Sequence, residues 1–253
     1  MKFEDMINTI QLGDCYELIK NIPDKSIDLI LTDPPYDFHC GTINKTGIFK
    51  ERLVAPGKEI VNMNINNGYD MSILKEFVRV LKNINIFIWC NKEQIKDYLN
   101  FFDDYNVSFE ILTWHKTNPT PLTKNTFLPD TEYCLYFREK GKVFLNDGYD
   151  LKSKYYITAT NKDDKDLYKH PTIKPLEIIK KQILHTTSGG NIVLDCFSGS
   201  GTTCLASKEL GRKYIGMEID SEYHKIAVNR LNGINANGQM SIFTNLESVR
   251  DDK

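Results

Sequence analysis

Two stretches of this sequence carry residue types and spacings suited to chemistry. The first is Asp33-Pro34-Pro35-Tyr36, which closes the short apolar run Ile27 to Thr32. Proline is about 5% of ordinary protein sequence, so an Asp-Pro-Pro-aromatic match arises by chance at roughly one position in a hundred thousand. Consecutive prolines end strand pairing and stiffen the chain. They also offer carbonyl oxygens without N–H groups, leaving the stretch rich in acceptors and poor in donors. That suits an exocyclic amine on adenine or cytosine, a poor nucleophile because its lone pair is delocalised into the ring. Acceptors on both of its N–H bonds favour a pyramidal nitrogen with a localised lone pair. Asp33 offers a carboxylate, Pro34 a carbonyl, Pro35 rigidity, and Tyr36 a ring on which a base can stack.

The second stretch, Ile192 to Thr203, sets a glycine-rich turn (Ser198-Gly199-Ser200-Gly201) between a strand and a helix. Glycine at 199 and 201 permits a tight turn and close approach of a ligand. The turn faces the N-terminal end of the next helix, whose free N–H groups attract anionic or polar atoms. Glu218 closes the following strand, 17 positions after Gly201, where a carboxylate accepts hydrogen bonds from a ribose diol. Together these point to a nucleoside-containing cofactor. With Cys204 at the third small position, the loop alone is equally compatible with a nicotinamide dinucleotide.

The elements around both stretches alternate between strand and helix. Strands are expected at Thr9 to Leu12, Ile27 to Thr32, Asn85 to Cys90, Ser108 to His115, Thr131 to Phe137, Ile192 to Cys196 and Tyr214 to Ile219. Helices are expected at Tyr16 to Lys20, Met71 to Leu81, Lys92 to Phe102, the Leu176 segment, Thr202 to Leu210 and Glu222 to Leu231. This predicts an α/β chain with a doubly wound, mostly parallel sheet, in which ligands bind at the carboxyl ends of the strands. Only about fifty residues follow the glycine loop, too few for the remaining strands. The rest of the sheet must come from the N-terminal part, so the order is permuted and the second ligand site lies near position 33.

The 253 residues are read as one domain, with a mobile loop at 37–69 and a short polar insert at 138–169. The net charge of −2 excludes a histone-like carrier of nucleic acid. A local surplus of thirteen Lys/Arg over nine Asp/Glu between Lys116 and His185 fits a phosphate-contacting face. The cysteines at 15, 40, 90, 134, 196 and 204 form no CxxC pair, so neither a zinc site nor a disulfide framework is expected. No apolar run approaches the ~18 residues that span a bilayer. The acidic start lacks signal-peptide character, and a cytoplasmic location is expected.

These motifs, with several others in the same order, resemble the permuted β class of DNA amino-methyltransferases of restriction–modification systems and phages. The matching pieces are Gly13-Asp14-Cys15 ahead of the Asp33 motif, Trp114 to Pro119, Leu128 to Tyr133, His170 to Pro175, Asp195 to Thr203, and Tyr214 to Asp220. The resemblance implies a Rossmann-like methyltransferase fold, S-adenosylmethionine as cofactor, no metal, and a flipped base held by Asp33, Pro34 and Tyr36. It assigns Phe197, Ser198, Gly199, Ser200 and Gly201 to the cofactor. Asp195 and Thr202 fall near the methionine end, Glu218 at the ribose hydroxyls and Asp14 by the adenine, with Cys15, Thr203 and Ile219 also among the cofactor contacts. Thr172 and Lys174 would help hold the methionine carboxylate.

Asp at the first motif position implies N6 of adenine in a short DNA site. N4 of cytosine, an RNA adenine, and a nicotinamide-dependent oxidoreductase are the alternatives, and a binding-only reader is disfavoured because both motifs are intact. DNA contact is expected from the 37–69 loop, the 116–127 segment, and Lys116, Asn118, Lys124, Lys140, Lys142, Lys152 and Lys154. A homodimer and a companion restriction endonuclease are the expected partners.

Overall fold

The computed structural model describes residues 1–36, 69–119, 127–160, 167–168 and 173–235. Its first half contains α1 (Phe3–Met6), β1 (Thr9–Leu12), α2 (Cys15–Leu18), β2 (Leu29–Thr32), α3 (Ile73–Val80), β3 (Asn85–Cys90) and α4 (Ile95–Phe102). The second contains β4 (Val107–Lys116), β5 (Thr131–Glu139), β6 (Tyr155–Thr158), α5 (Leu176–Thr186), β7 (Ile192–Asp195), α6 (Thr202–Glu209), β8 (Lys213–Glu218) and α7 (Ser221–Leu231). Short 3-10 turns follow α2 and precede β6.

All eight strands join one sheet in the order β1-β8-β7-β2-β3-β5-β4-β6. Neighbours pair in parallel except at β5, which runs antiparallel to both β3 and β4. The central strands are buried on both faces, which explains why β2 (LILT) and β3 (NIFIWC) read as near-continuous apolar runs. Helices α1 to α4 cover one face through Met6, Cys15, Leu74, Phe77, Tyr98 and Phe102. Helices α5 to α7 cover the other through Ile179, Ile183, Ala206, Ala227 and Leu231. The doubly wound, mostly parallel sheet expected from the sequence is therefore present. The glycine-loop strand β7 sits beside β2, as the permuted order requires.

Differences from the sequence expectation have local causes. The helix expected from Lys92 begins at Ile95 because Asn91 and Gln94 exchange side-chain and backbone hydrogen bonds of 3.0 and 3.2 Å, fixing a turn ahead of it. The 138–169 segment shows no clear periodicity in sequence, yet Tyr155–Thr158 forms strand β6, parallel to β4. Only Tyr156 of β6 is buried, so an edge strand this short leaves no alternation to detect. The expected 37–69 loop lies, apart from Tyr69, outside the described residues, as do Thr172 and Lys124.

Candidate active site

Strands β2 and β7 pair in parallel with Leu29 opposite Val193 and Ile30 opposite Leu194, so their carboxyl ends emerge side by side. Across that junction Thr32 Oγ1 donates to Asp195 Oδ1 at 2.8 Å, joining residues 163 apart in sequence. Glu218 ends the next strand, and its Oε2 accepts from the Gly199 N–H at 2.7 Å. On the far side of β8, the Gly13 N–H donates to the Glu218 carbonyl at 2.8 Å, bringing Asp14 and Cys15 to the same rim. The two stretches that carry the chemistry thus form one continuous edge.

Around Asp33 the side chains make a cage. The Lys174 ammonium, 8% exposed, donates to Asp33 Oδ2 at 2.5 Å and to Tyr36 Oη at 3.2 Å. It also stands 3.1 Å from Glu132 Oε2 as an ion pair, while Glu132 Oε1 pairs with Lys116 at 2.6 Å. The rings of Tyr36 and Trp89 flank the ammonium at 5.4 and 5.2 Å. Burial pushes the Asp33 carboxyl up and Lys174 pulls it back. Burial also opposes the charge on Glu132, but Lys174 and Lys116 hold its carboxyl at about 2. Asp33 Oδ1 is buried and has no hydrogen-bond partner among the described residues. An unpaired buried acceptor is costly unless a ligand donates to it.

The cofactor half is built from β7, the glycine loop and β8. Gly199 and Gly201 have φ of +49° and +76°, a backbone region that side-chain-bearing residues rarely enter. Phe197 meets Tyr69 edge to face at 5.3 Å. Burial raises the Asp195 carboxyl to about 7, despite hydrogen bonds from Thr32, the Phe197 N–H and Thr203. Burial likewise pushes Glu218 up. From α7, Arg230 passes beneath the loop, donating to Thr202 Oγ1 at 2.7 Å and to Ser200 Oγ at 3.2 Å. Two carboxylates, an aromatic platform and a glycine turn suit a ligand with an ammonium, a nucleoside base and a ribose diol.

Residues 27–229 match a family model described as DNA methylase, covering the N6 and N4 types. The chain belongs to the N6/N4 DNA methylase family. It is 32% identical over 239 residues to the type II methyltransferase M2.LlaDCHI of Lactococcus lactis subsp. cremoris, an alignment covering 87% of each chain. It is 32% identical to the type II methyltransferase M2.DpnII of Streptococcus pneumoniae, covering 88% of this chain and 89% of that one. Among solved structures it resembles an M1.HpyAVI–SAM complex with a TM-score of 0.65 and 26% identity, over 88% of this chain and 98% of that one. As a DNA methylase of the restriction–modification type, the protein takes its methyl group from S-adenosylmethionine. The donor set fits that cofactor: among the described residues Asp195 has hydrogen bonds but no cation, and a methionine ammonium would supply one.

The methylase gathers most of its expected site residues on this rim, but in differing roles. Asp33, Pro34, Pro35 and Tyr36 follow β2 directly. The hydroxyls of Ser198 and Ser200 turn inward, Ser198 onto the Asp195 carbonyl and Ser200 toward Thr202 and Arg230. Asp14 caps α2 by accepting from the Tyr16 N–H, and Ile219 is 71% exposed just beyond β8. Lys174 lies at the acceptor end of the site, donating to Asp33 and Tyr36 and ion-paired with Glu132.

The expected DNA-contacting residues divide. Lys116 and Asn118 stand at the rim end of β4, although Lys116 is paired with Glu132 and Asn118 accepts from the Thr160 N–H. Lys152 and Lys154 pair with Asp147 and Glu110. Lys140 and Lys142 follow β5, whose last residues face the start of β3, at the end of the sheet opposite the rim. There Lys142 lines a polar cleft with Asp28, Lys82 and Asn85. The antiparallel turn of β5 carried them away, a reversal that a count of basic residues does not see. Three further contributors, Trp89, Arg230 and Glu132, are not singled out by the sequence motifs. Glu132 lay within a motif already noted, whereas nothing in the sequence ties Arg230 to the loop 30 positions earlier.

Proposed function

We propose that this DNA methyltransferase transfers the methyl group to N6 of an adenine flipped out of a short DNA sequence. The observation that carries the reading is the buried, unpartnered Asp33 Oδ1 on a rim shared with Asp195 and Glu218. When bound, S-adenosylmethionine supplies an electrophilic methyl carbon on a sulfonium, so neither metal nor covalent nucleophile is needed. Asp195 would hold its ammonium and Glu218 its ribose hydroxyls. Asp33 Oδ1 accepts one N–H of the target amine and the Pro34 carbonyl the other, while Tyr36 stacks on the base. Lys174 on Oδ2 offsets part of the rise that burial imposes on the Asp33 carboxyl, and Asp33 acts as an acceptor that orients the amine and not as a strong base.

Asp at the first motif position supports adenine, and the short 138–169 segment supports a target of no more than about six base pairs. The same reading places the protein in the cytoplasm as one domain, paired with a second copy and with a restriction endonuclease of the same specificity. Among the described residues no helix is long and apolar enough to cross a membrane. The test is sequencing, with base-modification detection, of DNA from cells expressing the protein. N6-methyladenine at one short motif is the expected result. N4-methylcytosine there would overturn the adenine assignment, and unmodified DNA with methylated RNA would overturn the DNA substrate.

A further inference from the structure

Four side chains form a line of alternating charge behind the acceptor: Lys116, Glu132, Lys174 and Asp33, with successive separations of 2.6, 3.1 and 2.5 Å. One contact is incomplete. Glu132 Oε2 is buried and stands 3.1 Å from the ammonium as an ion pair, without the alignment of a full hydrogen bond. Two buried acceptor oxygens on either side of one lysine, Glu132 Oε2 and Asp33 Oδ1, are thus incompletely satisfied.

We infer that Glu132 is a positioning residue, a reserve acceptor that takes the Lys174 ammonium as the target amine engages Asp33. The inference rests on Asp33 being the amine acceptor. A cation bonded to Asp33 withdraws charge from the oxygen that must polarise the amine. A lysine that leans toward Glu132 restores that charge without leaving the pocket, and Lys116 keeps Glu132 ionised from its outer side. The move is a transfer of one hydrogen bond between two carboxylates, and no proton changes owner. Glu132 comes from β5 and Lys174 from the entry to α5, so their backbones belong to elements other than the Asp33 segment.

The charged and titratable groups facing Asp33 are Lys174, Glu132, Tyr36, Cys90, Asp195 and, further off, Cys134 and Tyr98. Burial keeps the phenols and thiols neutral through the working range. Saturating cofactor holds Asp195 constant between variants. Glu132 and Lys174 thus act on Asp33 with opposite sign.

The experiment measures single-turnover methyl transfer against pH, with the full chain, saturating S-adenosylmethionine, and DNA carrying the site found by sequencing. Glu132→Gln should slow transfer about tenfold or more, leave the cofactor dissociation constant within about twofold, and move the acid limb to lower pH. Lys174→Met should move the acid limb to higher pH. Glu132→Asp, which keeps the charge, should return the limb to its wild-type position. If Glu132→Gln does not fold, Lys116→Met reads the same carboxylate from its other partner and should move the limb upward. Wild-type rates and an unmoved limb in these variants would overturn the inference. Absence of transfer by the wild-type protein would overturn the functional reading, and this inference with it.

Discussion

Asp195 is a carboxyl held 3% exposed with hydrogen bonds but no cation among the described residues, and burial raises it from an ordinary 3.8 to about 7. A carboxyl raised on folding favours the folded state at low pH, and that advantage is lost as pH rises from about 4 through about 7. At about 1.4 kcal/mol per pH unit, the ligand-free protein gives up about 4 kcal/mol by pH 8, more than half of it above pH 5. Asp195→Asn keeps the oxygen that accepts from Thr32 and the Phe197 N–H while removing the charge. The ligand-free variant should therefore be more stable than wild type at pH 8, by about 4 kcal/mol at most, with the advantage shrinking toward pH 5. Urea unfolding at the two pH values measures it. The same carboxyl must ionise to hold a methionine ammonium. Wild-type affinity for S-adenosylmethionine, by calorimetry, should thus fall about tenfold per pH unit below 7 and level off above. In Asp195→Asn binding should be weak and flat with pH. An equal stability loss at both pH values, together with pH-independent wild-type binding, would refute the reasoning.

Other consequences can be checked alongside. Asp33→Ala should lower single-turnover transfer about a hundredfold or more while the cofactor dissociation constant stays within about twofold; near-normal transfer would remove Asp33 from the mechanism. A Cβ on Gly216 would meet Ser198 Oγ at 2.7 Å, Cys204 Sγ at 2.8 Å and Ile10 Cγ1 at 2.9 Å. Gly216→Ala should therefore cost about 1–3 kcal/mol in urea unfolding. Arg230→Met removes the donor beneath Ser200 and Thr202 and should weaken cofactor binding about tenfold by calorimetry. Unchanged binding would make Arg230 a packing residue only.

The rim was legible because its parts obey local rules. Continuous apolar runs marked β2 and β7 as buried parallel strands, and prolines or glycines placed directly after each run marked where the chain turns into a ligand site. Too few residues after the glycine loop forced the N-terminal strands into the same sheet, and the Thr32–Asp195 hydrogen bond is the result. What was not legible depends on three-dimensional partners. The resemblance implies a cofactor contact for Lys174 but says nothing of its pairing with Asp33 and Glu132, which follows from burial, because an ammonium 8% exposed must find carboxylates and two are within reach. Lys140 and Lys142 were grouped with the other lysines by sequence proximity, but strand direction separated them. Edge strand β6 escaped notice because a single buried side chain leaves no periodic signal.

The most direct test of the shared rim is a crystal structure of the protein with S-adenosylmethionine bound. The amino-acid end should lie on Asp195 and the ribose on Glu218, with the sulfonium methyl directed along the rim into the space beside Asp33 Oδ1. A cofactor seated with its methyl turned away from Asp33, or with the Thr32–Asp195 junction standing between them, would contradict the account.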